Sequence, residues 1–191
     1  MAAQSNEETG ASGTTSDGAS GERSMYARFG LMILVAMLVM FALTYTNSYS
    51  VDHVRWSEER AYMALLMGGA MAVVMLAFMW SMYKNVKVNL GILATGAIVM
   101  AVAFGLSQSQ VFVEDEAYMR GMIPHHSIAI MTSERAGIED VRVRDLAERI
   151  SRAQKREIKE MNWLLEDIAQ RGLATTKAEA GQRPVPDFDA E

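Results

Sequence analysis

The sequence predicts an all-α chain: three transmembrane helices followed by an extracytoplasmic antiparallel helical hairpin. Three observations predict it. Most of the charge lies outside residues 29–106, where the apolar residues gather. Three runs in that stretch each approach the roughly 20 residues that an α-helix needs to cross a bilayer core. From Val113 onward the pattern turns charged with helical periodicity, and glycines stand at two stop positions.

Residues 1–24 are mostly Ser, Gly, Thr, Ala and Glu, with almost no large apolar side chain. Such a segment cannot bury enough surface to offset its ordering entropy, so a disordered N-terminal tail is expected. The chain starts acidic and turns apolar only at Phe29, which favours an uncleaved span over a secretory signal.

Residues 25–112 form the expected membrane domain, with spans at about 29–49, 61–83 and 88–106. Tyr45, Tyr49, Tyr62, Trp80 and Tyr83 fall near the span ends, where interfacial aromatics sit. The flanks carry Arg23 and Arg28, then Arg55 and Arg60, then Lys84 and Lys87. An N-terminus inside places the first and third pairs, four basic residues against two, in the cytoplasm, as the positive-inside rule prefers, and puts the C-terminal domain outside. In either topology His53 shares a compartment with His125 and His126, the only other histidines.

The second span holds Met63, Met67, Met71, Met75 and Met79 at steps of four. Two readings fit that row. It is either a ladder of thioethers that passes a soft cation, or polarizable packing beside Gly68, Gly69 and Ala70, where small residues let helices approach.

The hairpin domain is expected at 113–172, with residues 173–191 as a loose C-terminal tail rich in Thr, Ala and Pro. Its first helix runs from about Glu114 to Ala136, with Gly137 as a left-handed C-cap. Asp140 suits the N-cap of a longer helix ending near Arg171 before Gly172. In the second helix Val143, Ala147, Ile150, Gln154, Glu157, Met161, Leu164 and Ile168 alternate steps of four and three, a seam that should face a partner. Glu157 in that seam either meets a partner opposite or snorkels at its edge.

The first helix carries Met-x-x-Met-x-x-His-His: Met119, Met122, His125 and His126. Met119, Met122 and His126 stack on one face, with His125 about 100° away. Folding the two helices together brings this face toward Gln154 and Glu157. Pro124 either bends the helix there or starts it as a first-turn residue. Thioethers with imidazole suit copper(I) or silver(I), because soft ligands prefer soft cations. The chain has no cysteine, which excludes thiolate chemistry, and its net charge of −5 argues against a nucleic-acid partner.

The stretch MIPHHSIAIMTSERA, followed by RVRDLAERISRAQKREIKEMNWLL, resembles the bacterial domain of unknown function 305. That family's pattern pairs a Met-x-Pro-His-His helix with a helix bearing Ala-x-x-Ile and Gln-x-x-Glu-Ile-x-x-Met. It includes CopM-like periplasmic copper-binding proteins and is similar to ferritin-like bundles. The resemblance implies a ferritin-like half-bundle in a multi-pass protein of the bacterial inner membrane. It implicates Met119, Met122, His125, His126, Met131 and Met161 toward the metal, with Gln154 and Glu157 around them. His53 is an additional candidate ligand.

The expected function is therefore non-enzymatic: copper(I) or silver binding, buffering or handover in the extracytoplasmic space, to a copper-handling partner protein. The alternative is a non-catalytic assembly module whose His pair is structural. A homo-oligomer would complete the four-helix bundle, and the bilayer is the other partner. A di-iron oxidase needs Glu-x-x-His motifs, and Met122 and Ile123 stand where those glutamates would be.

Overall fold

The computed structural model describes residues 14–188, and among them every regular element is helical. Helix α1 covers Thr14–Leu43, α2 Glu58–Phe78, α3 Val86–Ser109, α4 Asp115–Arg135, α5 Val141–Arg171 and α6 Lys177–Gln182. The first three are long and apolar enough to cross a membrane.

Two boundaries of the first span differ from expectation. Residues 14–24 are helical rather than a loose tail, and the remaining tail residues lie outside the described part of the chain. Extending an existing helix gains one hydrogen bond per residue fixed, so a stable apolar helix can carry polar residues at its end. At the other end α1 stops at Leu43 instead of reaching Tyr49. The Thr44 and Thr46 hydroxyls donate to the carbonyls of Phe41 and Leu43 at 2.6 and 2.7 Å. That local bonding competes with continuation of the helix, and the chain passes into a short 3₁₀ turn.

Ser57 caps α2 and accepts from the Arg60 amide, with Glu58 and Glu59 in the first turn where the helix dipole favours them. Asn85 caps α3 in the same way. The spans pack through glycine. A Cβ on Gly69 would stand 2.8 Å from Met100 Cγ and 2.9 Å from the Gly96 carbonyl oxygen, and one on Gly68 would stand 2.8 Å from Met37 Sδ. Backbones approach that closely only at small residues. In the methionine row Met67, Met71, Met75 and Met79 are half-buried, Met75 and Met79 against the cluster of Phe29, Leu76 and Tyr83, and Met63 is exposed.

Polar clamps fasten both ends of the three spans. At one end Asn89, fully buried, donates to the Tyr83 carbonyl and accepts from the Tyr26 hydroxyl, each at 2.7 Å. Tyr83 is thus buried within the protein and packed edge-on against Phe29. At the other end Glu59 accepts from Ser107 at 2.6 Å and from Gln110 at 3.0 Å. Gln110 ends α3 in the left-handed conformation at φ 52°, and its amide also donates to the Ser107 carbonyl.

Helices α4 and α5 form the antiparallel hairpin. Asp140 caps α5 by accepting from the Arg142 amide, and Gly172 closes it at φ 74°. Gly137 does not adopt the left-handed cap conformation: the chain leaves α4 in an extended conformation at Ala136. The pairing is offset in consequence. Ser151 meets Glu134, so the first turns of α5 overhang the end of α4. Val143 and Ile150 of the expected seam are exposed for this reason, while Ala147, Ser151, Ile158 and Met161 are buried.

The segment after α5 is not a loose tail. Thr176 and Glu179 form a reciprocal capping box that starts α6, and Arg183 returns to pair with Asp167 at 2.7 Å.

Candidate functional site

Helix α4 runs unbroken through Pro124, which is fully buried, so the helix does not begin there. Proline has no amide hydrogen, and the Arg120 carbonyl loses its helical donor. Ile123 and Ile130 are fully buried on the face that meets α5.

Three of the expected thioethers gather. Met119 and Met161 are buried in one apolar cluster with Ile123, Ile130 and Ile158, and Met122 packs against it half-buried. Met131 is half-buried and stands outside that cluster.

His126 is held at both ring nitrogens. Nδ1 lies 2.9 Å from the Met122 carbonyl, which can only accept, so Nδ1 carries a hydrogen. Nε2 lies 2.7 Å from Glu157 Oε2. Gln154 donates to the same carboxylate oxygen at 3.5 Å. Glu157 therefore meets a partner opposite, although its side chain keeps 38% of its surface against 11% for His126.

His125 diverges from this group. It is exposed, its ring centroid 6.5 Å from that of His126. With Met122 it lines a cavity of about 270 Å³ closed by Ser57, Glu58 and Glu59 at the start of α2.

His53 reaches the hairpin from the loop between α1 and α2. Its Nδ1 is 2.9 Å from Ser127 Oγ, which also accepts the Tyr49 amide at 2.7 Å. Burial lowers the His53 pKa, opposed by Asp52 and assisted by Arg55. Ser127 is fully buried, so this loop covers the back of α4. The Tyr49 ring packs against the hairpin cluster and lies under Arg135 and Lys155 at 5.6 and 5.7 Å. Lys155 bonds Glu134, which Ser151 and Tyr49 also reach, and these donors hold the Glu134 carboxyl down to about 2.

Sequence reasoning missed Tyr49, Ser127, Glu134 and Lys155. Ser127 did leave a signal: a small polar residue at a helix-buried position needs a partner, and it directly follows the histidine pair.

Among the described residues no three His, Asp or Glu side chains converge on a point that could hold a metal ion. Met119, Met122 and Met161 share one apolar cluster, and thioether donors in general suit soft monovalent cations rather than hard or borderline divalent ones.

The family profile described as "Domain of unknown function (DUF305)" matches residues 115–187. The uncharacterized protein L153 of Acanthamoeba polyphaga mimivirus is 34% identical over 143 residues, covering 71% of this chain and 92% of that protein. The chain belongs to the domain of unknown function 305 family. The alignment with the viral relative is longer than the 115–187 match, so it takes in part of the membrane domain as well. The family match also runs past α5 to residue 187, which assigns the α6 segment to the domain rather than to a tail. No solved structure matches the chain.

Proposed function

We propose that this is a membrane-anchored protein that binds copper(I), or silver(I), on its extracytoplasmic hairpin and buffers the ion or hands it to a partner. The observation that carries the reading is the gathering of Met119, Met122 and Met161 in one cluster beside His126. The hydrogen bond from His126 Nδ1 to the Met122 carbonyl is the arrangement a ligating imidazole commonly makes, because it fixes the tautomer and leaves Nε2 as the metal-facing nitrogen. Glu157 stands at Nε2, so a cation entering there displaces a carboxylate that can then remain beside it and balance its charge. His125 and His53 lie on other sides of α4 and would join only by rotation of their side chains.

The test is a cuprous competition assay on the detergent-purified full chain. Replacing Met119, Met122, His125 and His126 together by Ala is expected to abolish binding. Unchanged cuprous affinity in that variant sinks the reading.

A second reading is favoured by one observation: both His126 nitrogens are already satisfied within the chain. In it the hairpin is a non-catalytic assembly module and the imidazole is a structural link to Glu157. Purified protein free of metal, with an oligomeric state indifferent to chelators, distinguishes this from the first.

A further inference from the structure

We propose that the cavity at the membrane end of the hairpin is a lipid site, which takes one acyl chain of a bilayer phospholipid. The proposal goes beyond the copper(I) reading and does not rest on it.

The hairpin has a cavity at each end, and the two are lined in opposite ways. The distal one, about 580 Å³ beside the turn at Gly137, is lined largely by charged and hydroxyl side chains, among them Glu134, Arg144, Arg152 and Lys155. The one that follows α3, about 780 Å³, has an apolar floor of Met119, Met161, Leu164 and Ile168. Its rim is apolar too: Tyr118, Leu173 and Val185 line it and are 56%, 52% and 41% exposed. Exposed apolar side chains gathered in one place mark a surface that meets lipid, a ligand or another protein.

Position selects lipid. Val113 lines the cavity and follows closely on Ser109, the last residue of α3. The 24 residues of α3 rise about 36 Å. A bilayer offers about 30 Å of hydrocarbon and about 40–45 Å with its headgroups. With α3 across it, the helix end reaches the headgroup layer. Val111 and Phe112, 62% and 65% exposed, then stand at the lipid surface beside the mouth of the cavity. Tyr118, with an apolar ring and a polar hydroxyl, suits the same layer. Charge selects the form of the lipid. Glu114, Asp115 and Asp167 share the lining with Arg183, which is bonded to Asp167 at 2.7 Å. The surplus of carboxylates repels a fatty-acid anion, so the chain enters from a phospholipid whose headgroup stays outside.

The test uses the full chain in bilayer discs of phosphatidylcholine, a small fraction of it carrying a diazirine at the end of one acyl chain. Irradiation and peptide mass spectrometry then read where the chain end lies. Label is expected at Met119 and Met161 as well as on the spans, and not at Arg144–Arg152 around the distal cavity. Label confined to the spans overturns the proposal, and so does label spread equally over both ends of the hairpin. Ala180 is exposed and lines the apolar cavity, so a larger side chain there takes up space without disturbing a core. Ala180→Trp is expected to cut the label at Met119 and Met161 about tenfold and leave that on the spans unchanged. Undiminished cavity label in Ala180→Trp places the chain elsewhere and overturns the site. A free fatty acid bearing the same diazirine is expected to label the cavity more weakly than the phospholipid. Stronger label from the free acid overturns the choice of phospholipid.

Discussion

Replacing Glu157 by Ala removes the one side chain that meets His126 Nε2, and its two consequences separate the readings of the site. The contact is a single charge-assisted hydrogen bond of 2.7 Å. Bonds of this kind contribute about 1.5–3 kcal/mol when buried. Glu157 keeps 38% of its side-chain surface, so solvent screens the pair and about 1 kcal/mol is the fitting figure. For a chain of this size that corresponds to a fall in melting temperature of about 2–4 °C. Circular dichroism of the detergent-purified protein, without added metal, reads it. Glu157→Gln makes the control. Its amide can donate to a neutral Nε2 while Nδ1 still donates to the Met122 carbonyl, so the melting temperature should stay near wild type. If Glu157 also orients the imidazole for a metal, Glu157→Ala weakens cuprous affinity about 10- to 100-fold. A purely structural histidine gives the thermal effect alone. A Glu157→Ala protein with wild-type melting and wild-type cuprous affinity refutes the reasoning at both levels.

Two other expectations concern the frame around the site. Gly69→Ala forces a methyl to within 2.9 Å of the Gly96 backbone and should cost about 1–3 kcal/mol in thermal unfolding, whereas Gly91→Ala, with open space around its Cβ, should be neutral or stabilising. The Glu134 carboxyl is held at about 2, below its usual 4.5, so the folded state binds fewer protons than the unfolded one between those values. Its contribution is therefore complete above pH 4.5 and is lost as the pH falls toward 2; melting curves across that range should fall less steeply in Glu134→Gln than in wild type.

The parts of the fold legible in the sequence were those written in one helix at a time. The apolar runs announced the spans, Asp140 and Gly172 marked the ends of α5, and the seam identified Ala147 and Met161 as inward. Periodicity fixes an angle around a helix but not what lies opposite, and the failures follow from that. Counting outward from Gly137 places His126 level with residues before Gln154, yet its contact is Glu157, because the extended exit at Ala136 shifts the register and lets α5 overhang. The same shift bares Val143 and Ile150. The covering of α4 by Tyr49 and His53 was hidden for a different reason: the partners are more than 70 residues apart, and a tyrosine near a span end reads equally well as an interfacial anchor. Of the candidate ligands, the separation of His125 from His126 was implied by their adjacency, but only tertiary packing tells which of the two faces α5.

The hairpin does not dangle from the bilayer. Only residues 110–114 join it to α3, and the loop of Tyr49 and His53 braces it from the neighbouring crossing. It is mounted like a bracket with two bolts rather than a buoy on a line. If the proposed copper(I) function holds, whatever exchanges the ion with it must come down to the lipid surface to do so, and cutting the bracket free would strip the tyrosine and imidazole from the back of α4. A shortened, water-soluble version of the domain would therefore be a poor stand-in for the whole.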